Sequence, residues 1–368
     1  MKNRESIIAP LFGLVVGILV SSILLIISGS NPILAFQGLY VGSFGSLGAI
    51  SNTLIKAIPL IIGGLAVIIS YKSGIFNVGV EGQLFFGAMG GSIIATMPMF
   101  QDLPAFISIP LSIIVAMIFG GILGFIPGYL KAYRGINEVV VTMLLNYIII
   151  FFLSQQVQPG GFLHETGTKA NQSNPVHEAM RLPVLFEGLL TKVHVGLIIA
   201  LVLVVIIWFV MSRTAIGFKM KAIGLNPKAA EYAGMDMSLI QTKVMIVSGA
   251  MAGLAGAVEI LGYHYRLVDA FALGIGYNSI AVALLASLNP IAVIFSAIFF
   301  GALQAGNNTM QIIAEVPESF TRLVQGVVVF FVIAGAVLPK IISKKMTIKR
   351  LAKEAVEENH VKEGQENA

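Results

Sequence analysis

Long apolar runs separated by short polar segments make up most of the chain between residues 7 and 340. A helix of about 20 predominantly apolar residues is long enough to cross a lipid bilayer. The pattern therefore predicts a multi-pass α-helical membrane protein. The clear predicted spans are Ile7–Ser28, Leu54–Tyr71, Leu84–Phe100, Ala105–Tyr129, Val139–Val157, His194–Met211, Val244–Gly262 and Arg322–Lys340.

A further apolar stretch, residues 277–306, is interrupted by Asn289-Pro290. Proline removes a backbone donor and ends or kinks a helix, and Asn-Pro favours a turn. We therefore predict two helices here, Tyr277–Leu288 and Ile291–Gly306, which brings the total to about ten. The first is too short to cross a bilayer alone, so we expect it to be broken or re-entrant, with its backbone covered by protein or lining a cavity.

The basic residues predict the orientation of these spans. With ten crossings and the N-terminus inside, most of the 23 Lys and Arg residues fall on the cytoplasmic side, as the positive-inside rule requires. Both the N- and the C-terminus are then cytoplasmic. This topology predicts a transmembrane domain over residues 1–342, with an external loop at 158–193, a cytoplasmic loop at 213–243 and a charged cytoplasmic tail at 343–368.

Composition supports a membrane protein and argues against several other classes. The chain is 57% hydrophobic and 11% charged, whereas soluble domains carry about 25% charged residues. The net charge is +5, but Lys and Arg lie between spans and form no basic face, so no nucleic-acid partner is expected. The sequence has no cysteine, phosphate-binding loop or hydrolase motif. We predict no catalytic residues, no metal site and no cofactor on this chain.

The predicted cytoplasmic loop contains a signal for a short helix. Asn226 can cap a helix, Pro227 suits its first position and Gly234 can end it, which predicts a helix over Pro227–Ala233. Small residues on such a helix allow close docking on a partner, but a plain surface helix fits the local signals equally well. The candidate docking residues are Gly224, Asn226, Pro227, Ala229, Ala230, Tyr232, Ala233 and Gly234.

Two glycine-rich interruptions, Gly74–Gln83 and Gly274–Asn278, each precede an apolar helix. Paired interruptions of this kind point to a membrane-embedded binding site. Amides and aromatic faces suit an uncharged solute with a flat base and hydroxyl groups, although for each residue an interhelical hydrogen bond is at least as good an explanation. The candidate pathway residues are Asn77, Glu81, Gln83, Asn146, Tyr147, Tyr263, Asn278, Gln304, Asn307 and Asn308, with Tyr277 as a further aromatic.

Four stretches of the sequence together resemble the permeases of the branched-chain amino acid, ribose and nucleoside group of ABC importers. They are Gly217–Met235, Gly74–Gln83, Gly135–Tyr147 and Ile280–Pro290. The resemblance covers roughly residues 55–339 and is closest to the general nucleoside permease subfamily. It implies that Pro227–Ala233 is a coupling helix that docks on an ATPase.

The same resemblance implies a function and a set of partners. The chain would be a multi-pass permease of the bacterial plasma membrane that imports purine and pyrimidine nucleosides. A separate cytoplasmic ATPase would bind ATP and Mg²⁺, a second, related permease would complete the pathway, and an extracellular nucleoside-binding lipoprotein would deliver the solute. Two alternatives stay open: an ABC permease for another small solute, such as a branched-chain amino acid or ribose, and an ion-coupled secondary transporter.

Overall fold

A computed structural model describes residues 2–100, 103–186, 190–317 and 319–335. About three quarters of these residues are helical, and the described chain also contains one antiparallel hairpin of strands β1 (Val184–Phe186) and β2 (Leu190–His194). The α-helices of the described residues are α1 (Lys2–Ile27), α2 (Pro32–Phe44), α3 (Leu47–Lys72), α4 (Val80–Thr96), α5 (Ala105–Arg134), α6 (Glu138–Val157), α7 (Gly196–Arg213), α8 (Ala215–Leu225), α9 (Pro227–Tyr232), α10 (Met237–Glu259), α11 (Ile275–Leu285), α12 (Ala292–Ala314) and α13 (Ser319–Gly335).

Five helices within the described ranges are long and apolar enough to cross a membrane by length and composition. They are α3, α5, α6, α7, and α10 together with the π-helical turn Ile260–His264 that extends it. Shorter apolar helices lie within α1 and at α2, α11 and α13. The predicted fold class, an all-α polytopic membrane protein, is confirmed at this level, while ten crossings and cytoplasmic termini stay predictions.

The region between the first two predicted spans is a correction to the sequence analysis. The structure places helix α2 there and starts α3 at Leu47, seven residues before the predicted span. Pro32 occupies the first helical position of α2, which proline favours. The Ser46 hydroxyl caps α3 by accepting a hydrogen bond from the Ala49 amide at 3.1 Å. A 13-residue helix falls below the length that predicts a span, so the pattern did not mark it.

Helices α3, α4 and α10 form the buried centre of the segment Ile33–Val316, and glycines bring α4, α5 and α10 into backbone contact. A Cβ at Gly253 of α10 would collide with the Ala116 carbonyl oxygen of α5, and one at Gly87 of α4 would lie 2.8 Å from the Gly253 carbonyl carbon. Gly249 approaches Gly120 of α5 in the same way. Since lipid provides no hydrophobic force between helices, this close van der Waals packing stabilises the bundle.

Among the described residues, those before 33 and those after 316 form a separate compact unit. Within it, Gly13 packs against Phe331 and Gly17 against Val328, while the Ser21 hydroxyl donates to the Val324 carbonyl at 3.4 Å. The reversed order of these partners makes α1 and α13 antiparallel. The predicted span Arg322–Lys340 overlaps α13 up to residue 335. Its last residues and the predicted tail at 343–368 lie outside the described residues.

The predicted external loop, 158–193, folds along the residues that follow α10. Backbone amides of Ser173, Val176 and Leu182 donate to the carbonyls of Leu267, Tyr265 and Leu261 at 2.8, 2.7 and 2.9 Å. An ion pair joins Arg266 to Glu165 at 3.3 Å. The loop is thereby fixed to the chain that leads from α10 into α11.

His194 lies in strand β2 and not in a span, which corrects the predicted start of α7 by two residues. Its side chain is buried, and its Nδ1 atom lies 3.2 Å from the Gly196 amide, which donates to it. Burial lowers the pKa of His194 to about 4, against a smaller opposing effect of Glu259. The imidazole therefore accepts a hydrogen bond at the start of α7 in its neutral form.

Candidate functional site

The first glycine-rich interruption is present but shorter than predicted. Helix α3 ends at Lys72 and α4 begins at Val80. Gly74 turns the chain with φ +73°, a conformation that favours glycine. We call residues 73–79 the linker. Because α4 starts at Val80, Glu81 and Gln83 belong to its first turn and not to the break.

Asn77 holds the linker to α4 and α10 directly, and to α3 through Ser248. Its side-chain nitrogen donates to Gln83 Oε1 and to Ser248 Oγ, both at 2.8 Å, and its oxygen accepts from the Gly79 amide at 3.0 Å. Ser248 of α10 donates in turn to the Ala66 carbonyl of α3 at 2.7 Å. These side chains are buried, so each polar group needs the partner it has. Sequence reasoning missed Ser248, because a lone serine in an apolar span gives no distinctive signal.

Glu81 joins the first turn of α4 to the start of α11. Its carboxylate oxygens accept from the backbone amides of Gly274 and Gly276 at 2.5 and 2.6 Å, at the beginning of α11. A negative charge is favoured at a helix N-terminus, where backbone N–H groups lack partners. Gly276 must be glycine for this approach, since a Cβ there would lie 2.5 Å from the Glu81 Cα. Glu81 is 0% exposed, so a hydrated carboxylate at the membrane interface does not describe it.

Asn146 connects α6 to the same cluster. Its side-chain oxygen accepts from the Gly82 amide at 2.8 Å, and its nitrogen donates to the Val78 carbonyl at 3.0 Å and to the Tyr277 hydroxyl at 3.2 Å. Asn146 itself is fully buried, whereas Tyr277 is 38% exposed. Tyr277 therefore brings this buried network to a surface that the described chain leaves uncovered.

The predicted pathway residues divide into two groups. Asn77, Glu81, Gln83 and Asn146 are brought together, and each is buried with partners inside the chain. In this conformation, these four side chains therefore make interhelical hydrogen bonds, which is the alternative to contact with a solute. The others are partly or largely exposed, and no side-chain hydrogen bond joins them to the cluster within the described residues. They are Tyr147, Tyr263, whose ring centre lies 4.5 Å from Lys56 Nζ, Asn278, Gln304, Asn307 and Asn308.

The cytoplasmic loop predicted at 213–243 is largely helical, which is a further correction. Helix α8 follows α7 after one residue, and α10 begins at Met237, where Asp236 caps it. This segment was predicted as a loop because it contains Lys219 and Lys221. A hydropathy pattern identifies membrane spans but not short surface helices. The structure bears out the prediction for α9 at its start, where the Asn226 side chain accepts from the Ala229 amide at 3.2 Å.

Helix α9 ends at Tyr232, one residue earlier than predicted, and Ala233 is its C-cap. Gly234 follows with φ +74°, and the Met235 amide donates to the Ala230 carbonyl at 3.1 Å. A glycine in the left-handed conformation, together with this hydrogen bond, is a common C-terminal cap of an α-helix. The predicted role of Gly234 in ending the helix is therefore confirmed.

Not all candidate docking residues face outward. Leu225 and Tyr232 are 86% and 93% exposed, and Ala229 and Ala233 are exposed beside them. Ala230, in contrast, is buried against the chain itself. The outward apolar surface is thus formed by the end of α8 and one side of α9, with the apolar side chains of Leu225 and Tyr232 as its largest members.

Gly224 acts within the chain, at the junction between this surface and the linker. A Cβ on Gly224 would collide with the Lys72 carbonyl oxygen and lie 3.1 Å from the Gly74 amide nitrogen. Helix α8 therefore touches the chain where α3 ends and the linker begins. Through the linker, this contact is continuous with Asn77, Asn146 and the start of α11.

Comparison with known proteins shows which sequences this chain is similar to. The sequence model described as branched-chain amino acid transport system / permease component matches residues 49–333. The nucleoside ABC transporter permease protein NupB of Lactococcus lactis subsp. cremoris is 34% identical over 95% of this chain and 97% of its own length. The guanosine ABC transporter permease protein NupP of Bacillus subtilis is 33% identical over 94% and 98%. No solved structure matches the chain.

A third relative differs in the solute that its name states. A glucose ABC transporter permease protein of Haloferax volcanii is 31% identical over 89% of this chain and 87% of its own length. Lactococcus lactis and Bacillus subtilis each also contain a second permease protein that matches at 25% identity, NupC and NupQ. Relatives of this chain therefore occur as pairs of permease proteins.

Proposed function

Since this chain belongs to the family of branched-chain amino acid transport system permease components and is a membrane-embedded transport subunit of an ABC importer, we propose that it moves nucleosides into the cell. The observation that carries the proposal is the match, along more than nine tenths of both chains, to two permeases named for nucleosides and guanosine. The glucose permease among the relatives makes a sugar the second candidate solute, because its match is nearly as extensive.

The proposed mechanism divides the work between this chain and its partners. A cytoplasmic ATPase binds ATP and Mg²⁺ and docks on the outward apolar surface of α8 and α9, around Leu225 and Tyr232. Its closure moves α8, and Gly224 passes that movement to the linker by backbone contact with Lys72 and Gly74. The linker carries Asn77 and is bonded to Asn146, so the first turns of α4 and α11 respond together. The chain then acts as a two-state element that exposes the pathway to one side at a time.

Further partners follow from the pairs of relatives. A second, related permease in the bacterial plasma membrane completes the pathway, as the paired permease proteins of the two bacteria suggest. An extracellular nucleoside-binding lipoprotein delivers the solute. The external loop at 158–193 is a suitable receiving surface, because its hydrogen bonds to residues 261–267 connect it to the chain that enters α11.

Uptake by cells expressing the complete transporter tests this proposal. We expect unlabelled purine and pyrimidine nucleosides to compete with uptake of radiolabelled guanosine, and leucine, ribose and glucose not to compete. Depletion of ATP should abolish uptake, whereas an ionophore that removes ion gradients at constant ATP should leave it. Uptake that follows the ion gradient would establish the secondary-transporter alternative. If the cells take up glucose, ribose or leucine and not guanosine, the proposed solute is wrong, but the chain is still a permease of an ABC importer.

A further inference from the structure

We infer that Tyr277, held in place by Asn146, is the residue of this chain against which the base of a passing nucleoside stacks. The inference rests on the proposed nucleoside specificity and adds the contact that recognises the base. It begins from the hydrogen bond between Asn146 Nδ2 and the Tyr277 hydroxyl, 3.2 Å long, at the boundary between the buried cluster and an uncovered surface.

The first step concerns the fixed orientation of the ring. Asn146 is 0% exposed and already bonded to Gly82 and Val78, so its side chain has one arrangement. Tyr277 lies in the first turn of α11, whose start is held by Glu81. The phenol is therefore anchored at both its backbone and its hydroxyl, and a ring that is already ordered loses little entropy on binding a solute.

The second step concerns the groups of Tyr277 that remain available to a solute. Its oxygen accepts the hydrogen bond from Asn146, so the hydroxyl hydrogen remains available to donate. Tyr277 is 38% exposed, so part of the residue is open to contact by a solute. A tyrosine oriented in this way offers a flat aromatic surface and one directed donor, which suits a base carrying carbonyl oxygens or ring nitrogens.

The third step is the contrast with the rest of the exposed surface near Asn146. The exposed residues of α6 before and after it are mainly aliphatic or phenylalanine, namely Val140, Met143, Leu144, Ile148, Phe151 and Phe152. The residues that follow Asn146 and Tyr277 in the sequence are polar: Tyr147 is 55% exposed and Asn278 is half-buried. An aliphatic side chain offers no hydrogen-bond partner for the hydroxyl, and a flat base covers more of the aromatic ring than a sugar, which contacts the ring through C–H groups.

The test uses this chain in its complete complex, co-expressed with its second permease and ATPase, in lipid nanodiscs and in proteoliposomes. Photolabelling with 4-thiouridine, followed by mass spectrometry of peptides, asks whether a pyrimidine base lies against α11. We expect labelling of the peptide that contains Tyr277. Excess guanosine should suppress it and excess ribose should not.

Transport by variants provides the second measurement. Tyr277→Leu removes both the stacking face and the hydroxyl, and we expect the maximal rate of guanosine uptake to fall by more than about tenfold, further than in Tyr277→Phe. The fall should be smaller for uridine, whose base offers less area. Tyr277→Phe keeps the ring and removes the hydroxyl, with an expected fall of about threefold to tenfold for both nucleosides. Tyr40→Leu, at another exposed tyrosine that lies on α2, is the matched control and should transport normally.

The outcomes separate this inference from the proposed function. If the unaltered complex moves nucleosides while Tyr277→Leu matches its rates and the label lies elsewhere, the stacking role is wrong and the proposed function stands. If the unaltered complex moves only a sugar or an amino acid, the proposed function fails and this inference with it. Equal losses for guanosine and uridine in Tyr277→Leu, with labelling absent from α11, would show a purely structural role and overturn the inference.

Discussion

Replacement of Gly224 by valine tests how movement of α8 reaches the linker. In the structure, a Cβ at this position would collide with the Lys72 carbonyl oxygen, and it would lie 2.9 Å from the Lys72 carbonyl carbon and 3.1 Å from the Gly74 nitrogen. Unstrained contacts between carbon atoms measure about 3.5–4.0 Å. All three neighbours are backbone atoms, so rotation of a side chain cannot relieve the clash. The end of α8 must therefore move away from α3 by about 0.5–1 Å.

The magnitude follows from the cost of overpacking. Forcing an extra group into a well-packed contact costs about 1–3 kcal/mol, and each 1.4 kcal/mol changes an equilibrium about tenfold. The fraction of molecules with α8 seated on the linker should thus fall by roughly one to two orders of magnitude. The outward side chains of Leu225 and Tyr232 are not altered, so we expect the ATPase to bind and hydrolyse ATP while transport is lost.

The assay compares ATP-driven uptake with ATP hydrolysis in the same proteoliposomes. Gly48→Val is the matched control, because it is the same change inside helix α3 and a Cβ there meets only Ser46 Oγ at 3.8 Å. We expect Gly224→Val to reduce uptake at least tenfold with hydrolysis retained, and Gly48→Val to keep both. Normal uptake by Gly224→Val in correctly inserted protein would refute the proposed route through Lys72 and Gly74.

Three further predictions concern the cluster, the external side and the docking surface. Glu81→Ala should lower the thermal unfolding temperature of the detergent-solubilised chain, because it leaves the amides of Gly274 and Gly276 without partners. Each unpaired amide costs about 1–3 kcal/mol of folding free energy. An unchanged melting temperature would contradict this prediction. The pKa of His194 is about 4, below the ordinary value of about 6.5, so the folded state binds fewer protons than the unfolded state between these pH values. The free energy of unfolding should therefore decrease by up to about 3 kcal/mol as the pH falls through that range. The hydrogen-exchange protection of residues 193–199, after correction for the slower intrinsic exchange at lower pH, should fall from pH 7 to pH 5, and His194→Asn should abolish this fall; the same fall in the variant would exclude His194 as its source. Tyr232→Ser should weaken co-purification of the ATPase without lowering the melting temperature, since Tyr232 is 93% exposed and supports no described contact; undiminished co-purification would place the docking surface elsewhere.

Apolar length and helix capping were the features that the sequence predicted best. The spans at α3, α5, α6, α7 and α10 were recognised because each has an uninterrupted apolar run of sufficient length. The cap at Asn226 and the end at Gly234 follow from local geometry, which the residues within four positions determine. Helices α2 and α8 were missed because one is short and the other carries lysines, so neither gives the pattern of a span.

The hydrogen-bond partners of the polar residues could not be predicted from the sequence. That Gly74–Gln83 and Gly274–Asn278 belong together could be inferred from their similar pattern, but the contact of Glu81 with Gly274 and Gly276 depends on packing between positions about 190 residues apart. The inward direction of Ala230 depends in the same way on how α9 rests on the start of α10. An amide or carboxylate in an apolar span is equally compatible with a solute contact and an interhelical bond until its neighbours are known.

Reconstitution with and without the ATPase tests the central claim that an external motor drives this chain. The two permeases are placed in proteoliposomes with labelled guanosine and loaded binding protein on the external side, either alone or with the ATPase and ATP on the cytoplasmic side. We predict accumulation of guanosine only when the ATPase and ATP are both present, with none when either is omitted. Accumulation by the permeases alone under an imposed ion gradient would contradict the account.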